Sequence, residues 1–181
     1  MAVVDSNLKF VAVDVVAYGR QSDGEHFSNS RFGRALENSL LCLPPPQRLP
    51  DDTTIASHVF VGDEAFQLRP DFLRPYPGTR LEDDKRIFNY RLSRARRCVE
   101  NAFGVMTSRF RIFRRTINLL HENADYVVMA SCVLHNFLSE DVFYMPTHYA
   151  DREDPYGNTT NGQWRSAADA EGTAVIQLQP P

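Results

Sequence analysis

Two carboxylates in this sequence stand where they could do chemistry. Asp63 follows Gly62 at the end of the apolar run IASHVFV over residues 55–61, and Glu100 is the single acid within residues 86–115, among nine arginines. Carboxylate oxygens are natural ligands for hard divalent cations. Each position also has a plainer reading. On spacing alone Asp63 is better read as a Gly-Asp turn, the alternative being a carboxylate pointing into the crevice beyond a buried strand, where α/β folds place their chemistry. Glu100 lies one helical turn beyond Arg96 and Arg97, so it either pairs with them or reaches a cleft; we read it as a metal ligand. Asp5 reads as a turn residue, Asp14 as the exposed side of an edge strand, Asp23 as a helix cap, and His58 and His135 as ordinary structural histidines.

The elements that would position these groups follow from periodicity. Phe88, Leu92, Ala95, Val99, Ala102 or Phe103, Met106 and Phe110 recur every three or four residues, which predicts a long amphipathic helix. Its opposite face carries Arg91, Arg94 and Arg97. Thr79 with Glu82 forms a capping-box pattern that would launch it. Ahead of it, Ala2 to Asp5 and Leu8 to Val16 read as a hairpin turning at Ser6-Asn7, and Ile55 to Val61 as a further strand. A helical pattern runs from Ser22 or Asp23 through Phe27, Phe32 and Leu36 to Asn38. The prolines of residues 41–54 make that stretch a surface connection. Residues 65–78 (AFQLRPDFLRPYPG) read as a loop with aromatic and basic residues interleaved, packed by Phe66, Phe72 and Tyr76. Residues 125–138 (DYVVMASCVLHNFL) predict a second helix, apolar on most sides and buried against the sheet. From Asp141 the text turns polar and acidic, and from about Pro146 it is expected to be disordered.

The chain has 181 residues and a net charge of −3, with 43% hydrophobic residues, enough for one domain with a real core. The charge is segregated: residues 74–115 hold twelve basic residues against four acids, while residues 139–181 hold seven acids against two arginines. An anionic partner is therefore expected at the middle of the chain. Cys42, Cys98 and Cys132 are odd in number and widely spaced, which reads as reduced and intracellular. No apolar run reaches about 18 residues and no signal-peptide pattern opens the chain, so a soluble protein is expected.

The string GDEAFQLRPDFLRPYPG, then RIFNYRLSRARRCVENAFGVMTSRFRIFRR, then VLHNFL, closely resembles the DDE endonuclease domain of PIF/Harbinger-type transposases and their domesticated nuclease relatives. The resemblance runs from about Ala2 to Leu138, including VVDSNLKFVAVDV and GRQSDGEHFSNS. It implies an α/β fold, an RNase H-like mixed sheet flanked by helices, incomplete here at the N-terminus. It implies a nuclease domain over residues 1–140 and a separate acidic tail over residues 141–181. It also implies three acids converging on divalent metal, Mg2+ or Mn2+. Asp63 of the GD motif would be the second acid and Glu100 of VENAFG the third, 37 residues later. The first aspartate would lie on a strand ahead of MAVVDSNLKF, outside this sequence.

What the resemblance implies chemically is phosphodiester hydrolysis at two metal ions about 3.5–4 Å apart, one activating water and the other stabilising the leaving oxygen. DNA is the implied partner, its backbone gripped by Arg74, Arg80, Arg91, Arg94 and Arg97. A separate DNA-binding partner protein and a nuclear location, with the cytoplasm as the alternative, are implied as well. A catalytically inactive, transposase-derived DNA-binding or protein-interaction module is the competing expectation. A helical DNA-binding domain unrelated to nucleases is disfavoured by the β-rich first 60 residues.

Overall fold

The computed structural model describes residues 1–15, 23–50, 53–154 and 156–169. In chain order the elements are β1 (Ala2–Val4), β2 (Phe10–Val13), α1 (Asp23–Asn29), α2 (Arg31–Glu37), β3 (Gln47–Arg48), β4 (Ile55–Ala56), β5 (Phe60–Val61), β6 (Phe72–Leu73), α3 (Asp83–Arg109), a 3-10 turn (Arg111–Arg114), α4 (His121–Leu138), β7 (Arg152–Glu153), β8 (Thr159–Thr160) and α5 (Gln163–Asp169). The mixed α/β class is as expected, with the strands of the described residues in four two-stranded pairs. None of the described helices is long and apolar enough to cross a membrane. The chain divides into two compact units, one of Ala17–Arg97 with Met1, the other of Ala2–Val16 with Cys98–Pro181.

The first unit is built on phenylalanines. Phe27, Phe32, Phe60, Phe66 and Phe72 meet mostly edge to face, with centroids 5.1 to 6.1 Å apart, the arrangement that ring quadrupoles favour. The helical pattern expected from Asp23 to Asn38 breaks into α1 and α2 at Ser30, whose Oγ accepts the Gly33 N–H at 2.8 Å and caps α2. Ser22 and Gly19 lie outside the described residues. The strand expected over residues 55–61 is two strands. β4 pairs antiparallel with β3, while β5 runs parallel to β6, Phe60 opposite Phe72 and Val61 opposite Leu73. His58, read as a structural histidine, falls between β4 and β5 and is exposed. β6 was not legible because it is a two-residue piece among prolines.

The second unit joins distant parts of the chain. β1 and β2 form the expected antiparallel hairpin, with a register shift between Val3 and Val4. Asp5 is the turn residue it was read as, its Oδ1 accepting the N–H groups of Asn7 and Lys9, both at 2.9 Å. The hairpin lies against α4, where the Asn136 side chain accepts the Phe10 N–H at 2.7 Å and donates to the Phe10 carbonyl at 2.8 Å. Phe10, Ala102, Met106, Phe113, Ile117, Ala124 and Cys132 form the core. α4 is less buried than expected, since Tyr126, Met129, Val133, Leu134 and Phe137 are exposed.

Candidate functional site

Asp63 is placed by the strand before it. β5 ends at Val61, and the Gly62 N–H extends the pairing to the Leu73 carbonyl at 2.9 Å. A Cβ on Gly62 would stand 2.6 Å from the Phe72 ring and 2.8 Å from Phe66, so only glycine lets the strand end close onto those rings. The carboxylate then emerges on the next residue with its side chain 37% exposed. Its Oδ1 accepts the Ala65 N–H at 3.0 Å, the turn geometry that spacing alone suggested. Its Oδ2 stands 3.8 Å from a guanidinium nitrogen of Arg96, a charge contact longer than a hydrogen bond. Turn and reactive carboxylate are therefore compatible at this residue.

Glu100 is exposed on α3, and Arg96, which could have neutralised it, is directed to Asp63 within its own unit. The neighbours of Glu100 along the helix are fixed tightly. Asn101 is buried, its Oδ1 accepting the Asp151 N–H and the Trp164 Nε1–H, each at 3.0 Å. Gly104 lies against the Trp164 ring, where a Cβ would collide. Periodicity carries no sign of these contacts, which arise from residues 50 and more positions away.

The expected helix is present as the 27-residue α3, beginning at Asp83 rather than near Thr79. The Glu82 carbonyl accepts the Arg86 N–H at 3.0 Å, and Asp83 and Asp84 supply the negative first turn that a helix dipole favours. Leu92, Ala102 and Met106 are buried as predicted; Ala95 is exposed, and Val105 joins the buried face. Of the arginines expected on DNA, Arg80, Arg91 and Arg94 are exposed, with Arg94 over the Tyr90 ring at 5.7 Å, and Arg97 is half-buried. Arg74 is partly committed to structure, donating to the Glu64 and Phe66 carbonyls, both at 3.2 Å. It braces the turn that follows Asp63.

Among the described residues no three His, Cys, Asp or Glu side chains are grouped tightly enough to hold a metal ion by themselves. The donor chemistry of Asp63 and Glu100 nevertheless suits a hard divalent cation, since both offer oxygen and neither is buried in an ion pair.

The family model described as DDE superfamily endonuclease matches residues 1–136. The chain belongs to the DDE superfamily endonucleases. The resemblance read from the GD, VENAFG and VLHNFL motifs is thus borne out at the level of the family. The chain is also 28% identical over 138 residues to a "Protein ALP1-like" of Arabidopsis thaliana, covering 76% of this chain and 34% of that relative. This DDE chain therefore spans about a third of the relative's length. No solved structure matches it.

Proposed function

We propose that this chain has the function of a metal-dependent DNA endonuclease of PIF/Harbinger transposase ancestry, with Asp63 and Glu100 as the second and third catalytic acids. The observation that carries the reading is the Gly62-Asp63 strand end. A glycine closes β5 onto the Phe66 and Phe72 rings, and a carboxylate follows at the surface, its orientation set by the Ala65 N–H. Membership of the DDE family supports it, and the same ancestry suggests an RNase H-like arrangement, DNA and a separate DNA-binding protein as partners, and a nuclear location.

In this reading Asp63 and Glu100 would hold Mg2+ or Mn2+. When bound, the metal supplies Lewis acidity to the phosphate and an acidified water. The protein's share is positioning. The turn bond to Ala65 fixes one Asp63 oxygen, and the other has only the Arg96 guanidinium near it, at 3.8 Å, too long for a hydrogen bond. Arg80, Arg91, Arg94 and Arg97 neutralise backbone phosphates and hold the strand in register without reading its sequence.

With supercoiled plasmid and Mn2+, the chain is expected to convert closed circles to nicked ones, with Asp63→Ala slower on the order of 100-fold or more, since even outer-shell partners of metal ligands are worth about 10–100-fold. Equal nicking by wild type and Asp63→Ala would reject the assignment. Salt-sensitive DNA binding without any cleavage would instead support the catalytically inactive transposase-derived module.

A further inference from the structure

One basic surface of the second unit takes no part in this reading. The 3-10 turn Arg111–Arg114 is anchored by Phe113, and the chain just beyond it by Ile117; both are buried in the core around Met106. With those apolar groups facing inward, the remaining side chains of the turn face outward. Residues three apart eclipse in a 3-10 helix, which places Arg111 and Arg114 on one edge. Arg115 follows in extended backbone, φ −138° and ψ 157°. Together with Ile112 these arginines line a cavity of about 380 Å³.

No acid occurs between Glu100 and Glu122, so the sequence around the turn supplies only positive charge. Arg114 is held in the turn by donating to the Ser108 carbonyl at 2.6 Å. Arg111 and Arg115 are exposed. Arg109 is directed elsewhere, its guanidinium 3.9 Å from the Tyr149 ring centroid and donating to the Phe143 carbonyl. The volume falls within the roughly 300–1,000 Å³ of small-molecule sites, but those are lined mainly by apolar and aromatic groups, whereas three guanidiniums and one isoleucine line this one. A neutral ligand is disfavoured. A single phosphate at a water-exposed site gains little, while a chain of phosphates also gains from counterion release at each contact.

We infer that the Arg111–Arg114–Arg115 cavity is a phosphate site for a nucleic-acid backbone, a contact additional to the arginines of α3; the identity of the polyanion rests on the DNA reading above. The test is fluorescence anisotropy of a labelled random-sequence duplex with the full chain in chelator, between 50 and 200 mM NaCl. For the Arg111→Gln/Arg115→Gln double variant the slope of log affinity against log salt should fall by about 1.8, so that its deficit against wild type shrinks about tenfold over that range. The Arg111→Lys/Arg115→Lys variant should restore the slope, which separates charge from fold. If wild type binds duplex and the glutamine variant keeps its slope, the cavity assignment falls and the DNA reading stands. If wild type binds no duplex at 50 mM salt, both fall. Saturable calorimetric binding of inorganic phosphate that the glutamine variant loses, with an unchanged duplex slope, would make this a small-anion pocket and overturn the backbone assignment.

Discussion

His135 is fully buried, with a partner on each ring nitrogen: Nε2 lies 2.9 Å from the Leu8 carbonyl and Nδ1 lies 2.8 Å from the Tyr144 hydroxyl. A carbonyl can only accept, so Nε2 carries the proton and Nδ1 accepts from Tyr144. Burial pushes the His135 pKa below its ordinary value, opposed by the bond to Leu8, and burial likewise raises that of the Tyr144 phenol. The unfolded histidine takes a proton near pH 6.5, where the folded one still resists it, so the unfolded state binds more protons in that window. The stability contribution is therefore complete above about pH 6.5 and is lost as the pH falls toward the lowered folded pKa. The urea midpoint is expected to drop between pH 7 and 5, and less steeply in His135→Phe. The sequence correctly marked His135 as a satisfied core group, because a lone histidine on an apolar helix is seldom anything else. It could not name Leu8, which lies 127 residues away and leaves no periodic trace. Asp63 was legible as a turn and, through its motif, as a candidate ligand, and the geometry accommodates both.

The stretch from Pro146 is the element that composition read least well. It was expected to be disordered, yet the described residues up to 169 include β7, β8 and α5, laid against the C-terminal half of α3. Its order comes from a few anchors instead of a periodic apolar face. Tyr144 and Tyr149 pack on Val105, Trp164 covers Gly104, and the Tyr149 hydroxyl meets Ser108 Oγ at 3.0 Å. Asp151 is buried and accepts the Gly162 N–H at 2.7 Å and two guanidinium nitrogens of Arg165. A polar, acidic composition conceals such a network because the acid is a structural acceptor here and not a solubilising charge. Asp151→Ala is expected to cost about 2 kcal/mol, the scale of charge-assisted hydrogen bonds at a partner that is partly exposed, seen as a lower midpoint in chemical denaturation. By contrast the long helix was legible from end to end except at its start, since Thr79 and Glu82 mimic a capping box while the chain turns helical only at Asp83.

The mixed class and the hairpin were legible in the whole chain, whereas the division into two units was not, because the second unit draws residues from both sides of the first in sequence. That unit also depends on residues that the family match, ending at residue 136, does not reach. A chain ending at Ser139 would strip Tyr144, Tyr149 and Trp164 from Val105 and Gly104 and leave the buried His135 without its hydroxyl partner. It is expected to lose its cooperative thermal transition, monitored by near-ultraviolet circular dichroism, and a melt unchanged from the full chain would show the segment to be an appendage. The two bonds between Asn136 and Phe10 have a consequence in time. At synthesis rates of about 5–20 residues per second, the 126 residues between them take roughly 6–25 s to emerge. The N-terminal hairpin must wait that long on the ribosome for the helix that completes it, its apolar strands open meanwhile to chaperones or to a neighbouring nascent chain.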